Sequence, residues 1–97
     1  MRIVKQADGR VLTAAIEGSI DKESAPDLER EITEDIYRVD KLVLDLKGVD
    51  YISSEGLRAL LIIKKDMDDK GELNIVHVSP GLMDIFEVTG FLDILTV

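Results

Sequence analysis

Residues 42–57 constrain this chain more than any other stretch. Leu42, Val43, Leu44 and Leu46 form an apolar run of strand length, and after Ser53 and Ser54 the residues Leu57, Leu60, Leu61 and Met67 recur at helical spacing. A buried strand therefore gives way to a helix within a few residues, and the two serines fall at the helix N-terminus. A hydroxyl there can cap an orphan backbone amide, and the partial positive charge of the helix end tolerates an anion such as a phosphate on it. Two readings follow from the residues alone. Either one serine caps the helix while the other faces solvent, or the pair is a switch site.

The rest of the chain alternates around this strand and helix. Residues 2–7 and 10–17 read as short strands, and Asp8-Gly9 between them predicts a hairpin in which both turn positions can take positive φ. Leu12, Ala14 and Ile16 share one face by the two-residue period. After a loop at residues 18–21, Ser24 as cap and Pro26 in the first turn open a helix, with Leu28, Ile32, Ile36 and Val39 on one stripe. The central helix is predicted to run to Lys70, with Gly71 as a left-handed stop and Leu57, Leu60 and Leu61 as its anchors. Residues 73–78 read as a strand that includes His77. Ser79-Pro80-Gly81 opens a short helix closing near Gly90, and residues 94–97 are expected to pair as a terminal strand.

This order predicts one α/β domain over residues 1–97. Its sheet is mixed, antiparallel at the hairpin and then parallel, with right-handed crossovers and helices packed mainly on one face. In such sheets functional loops lie beyond the carboxyl ends of the strands, so Asp21 and the serine turn should be neighbours.

Composition narrows the function. Twenty acidic against twelve basic residues give a net charge of -8, which repels nucleic acid and anionic membranes and favours partners with basic surfaces. Cysteine is absent, which removes disulfides and thiolate metal sites and suits a reducing compartment. Charge interrupts residues 1–6 too early for a signal peptide, and no apolar run approaches the roughly 20 residues of a membrane span, so the cytoplasm is the expected location. The single histidine, His77, has no nucleophile-elbow pattern or ligand-spaced partner near it. Asp21, Asp45 and Asp50 could converge on the serine loop as an acidic pocket, but neither a phosphate-cradling glycine loop nor a dinucleotide fingerprint accompanies them. The expectation is a monomer that is not an enzyme and uses neither metal nor cofactor.

Leu42-Val-Leu-Asp45-Leu46 followed by Gly48-Val-Asp50-Tyr51-Ile52-Ser53-Ser54-Glu55-Gly56-Leu57 resembles the signature of the STAS domain, the module of sulfate transporters and bacterial anti-sigma factor antagonists. The hairpin, Gly18-Ser19-Ile20-Asp21 and the late Ser79-Pro80, Phe86 and Thr89-Gly90-Phe91 pattern extend the resemblance over essentially the whole chain. In the antagonist branch the motif is typically Asp-Ser-Ser/Thr-Gly, and its first serine is phosphorylated by a partner that is both anti-sigma factor and serine kinase. Matching on Gly56 implies Ser54 as phosphoacceptor, with Ser53 in place of the usual Asp and Glu55 in place of the second Ser/Thr. Ser54 is also expected to supply the helix cap. The implied partner surface comprises Asp21, Ser53, Ser54, Glu55, Gly56 and Arg58. On this resemblance the unphosphorylated domain binds an anti-sigma factor and releases a sigma factor, and a serine phosphatase is a further admissible partner. The alternative is an interaction module, never phosphorylated, of a transporter or larger signalling assembly.

Overall fold

Strands β1 (Arg2–Asp8) and β2 (Val11–Glu17) form the expected antiparallel hairpin in the computed structural model, which describes residues 1–95. Asp8 pairs with Val11, so the two turn residues are Gly9 and Arg10, and Gly9 alone of these takes positive φ (62°). The turn thus sits one residue later than the Asp8-Gly9 signal suggests, because Asp8 completes the ladder. Helix α1 (Ala25–Ile36) leads to β3 (Lys41–Gly48), α2 (Ser54–Asp68), β4 (Glu72–Val76), α3 (Pro80–Val88) and α4 (Phe91–Leu95). The sheet runs β1-β2-β3-β4, with β2, β3 and β4 mutually parallel. The mixed α/β architecture read from the sequence is the one present.

Alternation in the strands decides where the core lies. Leu12, Ala14 and Ile16 of β2 and Leu42, Leu44 and Leu46 of β3 are buried under the stripe Leu28, Ile32 and Ile36 of α1 and under Ala59, Leu60, Ile63 and Met67 of α2. Their intervening neighbours Val11, Thr13, Ala15, Val43 and Asp45 stay half-exposed on the opposite face. In α2 the buried stripe is rotated from the predicted one. Leu60 is fully buried, whereas Leu57 and Leu61 are half-buried at its margin. The apolar run at residues 59–63 fills more than one face, so spacing alone left the phase open.

Several boundaries also differ from expectation. Helix α1 ends at Ile36, short of Val39, and the Ile36 carbonyl accepts the Val39 amide and, from across the fold, the Lys70 ammonium. Gly71 is no left-handed stop. A Cβ there would lie 1.8 Å from the Asp40 carbonyl oxygen, so glycine is required by the close crossing of two backbones. Strand β4 ends at Val76 because His77 turns to φ 58°. Ile94 and Leu95 belong to helix α4, contrary to the expected terminal strand, and residues 96–97 lie outside the described residues. Phe91 opens α4 and buries itself edge-on against Phe86 at 5.4 Å, which turns the chain end back onto α3.

Lys5 ties the hairpin to α1. Its ammonium donates to Asp35 Oδ2 at 2.8 Å and to the Glu31 carbonyl at 2.9 Å, with the Glu31 carboxylate 3.1 Å away. The Asp35 hydrogen bond raises the Lys5 pKa above its ordinary 10.5, against the opposing effect of burial. A raised folded pKa means the stabilisation is complete below about pH 10.5 and is lost as pH climbs through the folded value. Lys5→Met is expected to lose about 1 kcal/mol at pH 7 in urea melts. It should also blunt the fall in stability that the wild type shows at alkaline pH.

Candidate functional site

The two predicted loops meet through backbone pairing. Beyond the end of β2, Ile20 forms a parallel bridge with Ile52 beyond β3: the Ile20 amide donates to the Tyr51 carbonyl at 3.0 Å, and the Ser53 amide donates to the Ile20 carbonyl at 2.9 Å. Both isoleucine side chains are buried, so this small extension of the sheet is fixed from below. The first turn of α2 then passes directly over Ile20. A Cβ on Gly56 would lie 2.6 Å from the Ile20 carbonyl oxygen and 2.6 Å from Ile52 Cγ1. Gly56 is therefore glycine for close packing beneath the turn, a reason that leaves the outer surface to its neighbours.

The bridge also decides which serine does what. With its amide committed to Ile20, Ser53 stays extended (φ -88°, ψ 175°) and its Oγ accepts the Gly56 amide at 3.2 Å. Ser53 is the cap, contrary to the expectation for Ser54. Ser54 is the first residue of α2, exposed, and its hydroxyl makes a long contact of 3.4 Å to Glu55 Oε1. Ser53→Ala is accordingly expected to cost about 1 kcal/mol in chemical denaturation, and Ser54→Ala less than about 0.5 kcal/mol. The reverse order would put the cap on the wrong residue.

Asp21 shapes its own loop. Its Oδ1 accepts the amides of Glu23 and Ser24, each at 3.0 Å, and these bonds, the Ser24 amide foremost, hold its pKa below the ordinary carboxylate range. Ser24 departs from the expected capping role. Its Oγ accepts the Asp21 amide at 2.9 Å and lies 2.9 Å from the Ser19 carbonyl, to which it donates. The loop beside the serine turn is thus internally braced.

Glu55 is exposed, and its carboxyl is held low first by its own backbone amide, then by the Ser53 hydroxyl, with further help from Ser54 and Lys22. Behind it a groove of about 290 Å³ runs between α1 and α2, lined by Lys22, Pro26, Glu29, Glu55, Arg58 and Ile62 among others. Arg58 also borders an apolar depression of about 220 Å³ with Leu57, Leu61, Thr89 and Phe91. Tyr51 is a residue the sequence reading missed. It is 51% exposed directly before the serine turn, and exposed tyrosines are favoured interface anchors. The signal was an aromatic at the turn in a chain with only four aromatics.

Asp45 does not converge on the serine loop with Asp21 and Asp50, contrary to the expected acidic pocket, and the polar pocket at Asp21 is lined by neither Asp45 nor Asp50. Asp45 points to the open face of the sheet, where the Lys47 amide and His77 Nδ1 approach its Oδ1 at 3.0 and 2.9 Å and depress its pKa. Among the described residues no group of three histidines or carboxylates is placed to hold a metal ion, and no helix is long and apolar enough to cross a membrane.

A mixed sheet whose β2 and β3 ends are joined below an exposed serine at a helix start defines a class of small single-sheet α/β domains. The chain belongs to the STAS domain family, whose model matches residues 2–97. It is 33% identical over 99 residues to BtrV of Bordetella bronchiseptica, assigned as an anti-sigma factor antagonist, covering 100% of this chain and 85% of that protein. Among solved structures, an anti-sigma factor antagonist from Mycobacterium paratuberculosis superposes with a TM-score of 0.87 at 23% identity, over 98% of this chain and 82% of that one. The Bacillus cell fate determinant SpoIIAA in its phosphorylated form superposes with a TM-score of 0.76 at 14% identity, over 95% and 86%. These likenesses establish the fold and the family.

Proposed function

We propose that this chain is an anti-sigma factor antagonist that works in the cytoplasm and is switched by phosphate on Ser54. The observation that carries the reading is the exposed hydroxyl of Ser54 at the first position of α2, flanked by exposed Tyr51 and by the braced Asp21 loop. The unphosphorylated surface, comprising Asp21, Tyr51, Ser53, Ser54, Glu55 and Arg58, docks an anti-sigma factor and so frees a sigma factor, while Gly56, expected at this surface, is buried and shapes it from beneath. A chain of net charge -8 selects a basic partner face.

Switching is a matter of charge. In the kinase partner the Ser54 Oγ attacks the γ-phosphorus of ATP, the new O–P bond forms as the bond to ADP breaks, and the hydroxyl proton passes to a base of the kinase. The phosphoserine carries about -1.5 to -2 charges, and desolvating it unpaired in the interface lowers affinity by on the order of a thousandfold. In the free domain the same phosphate stays in water at a helix N-terminus, so the fold survives it. A serine phosphatase then restores binding.

The test is incubation with a candidate serine kinase of the anti-sigma factor type and ATP, mapping of the modified residue, and calorimetry of anti-sigma factor binding before and after. The expected result is label on Ser54 and loss of binding. Label on Ser53, or unchanged affinity at full phosphorylation, overturns the proposal.

A further inference from the structure

Ser54 does not face solvent alone. The Glu55 side chain lies over the same helix end, with the Ser54 hydroxyl 3.4 Å from its Oε1. The Ser53 hydroxyl, which accepts the Gly56 amide, also helps hold the Glu55 carboxyl low. The Ser54 contact, the Glu55 backbone amide and the Ser53 hydroxyl together favour the ionised Glu55 carboxylate at this helix start.

We infer that Glu55 is a resident anion that competes with phosphate for the N-terminus of α2 and so biases the Ser54 switch toward its unphosphorylated state. The inference rests on the reading of Ser54 as phosphoacceptor and adds a residue that sets the balance of that switch. A phosphate on Oγ removes the hydroxyl proton that Glu55 accepts and places a second anion beside a carboxylate already lying at this helix end. Both anions stay solvated, and their mutual repulsion at close range disfavours the doubly ionised phosphate. The other charges near Glu55 are Lys22 from the Asp21 loop, Glu29 from α1 and Arg58 one turn along α2, all lining the groove behind it. Lys22 and Arg58 partly offset the repulsion, whereas Glu29 adds to it. Glu55 is the carboxylate that touches the acceptor hydroxyl itself.

The consequence is a shift in the second ionisation of the phosphate. Two charges about 5 Å apart in water raise that pKa by about half a unit, a threefold change in proton affinity, and the effect shrinks with salt. The experiment installs phosphoserine at position 54 during translation and follows its 31P resonance against pH, in the wild-type background, in Glu55→Gln and in Glu34→Gln on the far part of α1. The expected result is a pKa about half a unit lower in Glu55→Gln than in the wild-type background, little change in Glu34→Gln, and collapse of the difference in about 1 M salt. Equal pKa values in the wild-type background and Glu55→Gln, or an equal drop in Glu34→Gln, overturn the inference. The titration needs no kinase, so it stands or falls separately from the labelling experiment that tests Ser54 as the natural acceptor.

Discussion

Gly56→Ala is expected to destabilise the domain by about 2 to 3 kcal/mol and to weaken partner binding at the same time. The added methyl would meet the Ile20 carbonyl oxygen at 2.6 Å, Ile52 Cγ1 at 2.6 Å and Ile20 Cγ2 at 2.8 Å, all below any normal contact. Alanine is the better helix former by about 1 kcal/mol, so propensity pulls the other way. Overpacking wins because the nearest obstacle is backbone. The Ile20 carbonyl also accepts the Ser53 amide, and moving it opens the bridge that joins the two loops. Gly81 supplies the control. Near the start of α3 a Cβ on Gly81 would meet nothing within 4 Å, so Gly81→Ala should be neutral or slightly stabilising. Urea melts of the two variants decide it, and equal melts would mean that the first turn of α2 does not press on Ile20.

That same bridge marks where the sequence stops being legible. The hairpin, the central strand and helix, the mixed sheet and the family signature could all be read from apolar period and turn residues. Ser53 and Ser54 could not be told apart, because the choice of cap depends on Ile20, a residue 33 positions before Ser53 whose carbonyl takes the Ser53 amide. Gly71 carries the same lesson. Its position after a helix suggests a left-handed stop, whereas its cause is the Asp40 carbonyl on another crossover. The end of the chain failed for a different reason. A short apolar run such as residues 91–95 fits strand or helix equally by period, and the contact of Phe91 with Phe86 tips it to helix. Asp21 was found as a neighbour of the serines, but its role in bracing its own loop was invisible until the amides of Glu23 and Ser24 were placed on it.

Ser54→Asp is expected to leave stability within about 0.5 kcal/mol of wild type and to weaken anti-sigma factor binding by about a hundredfold. Stability holds because Ser54 is exposed, contributes no cap bond and lies where the helix end favours an added carboxylate, although Glu55 beside it offsets part of that gain. Binding falls because a carboxylate that is solvated in the free domain must be stripped of water at the centre of the interface. The loss is smaller than for phosphoserine because aspartate carries one charge where the phosphate carries about -1.5 to -2. Ser54→Ala adds no charge and should bind like wild type by calorimetry. Gly56→Ala lowers stability and binding together, as any distortion of the turn must. Ser54→Asp separates the two, and only a surface switched by charge at this one position predicts that separation. If Ser54→Asp binds as tightly as wild type, Ser54 lies outside the contact and the domain serves as a static interaction module.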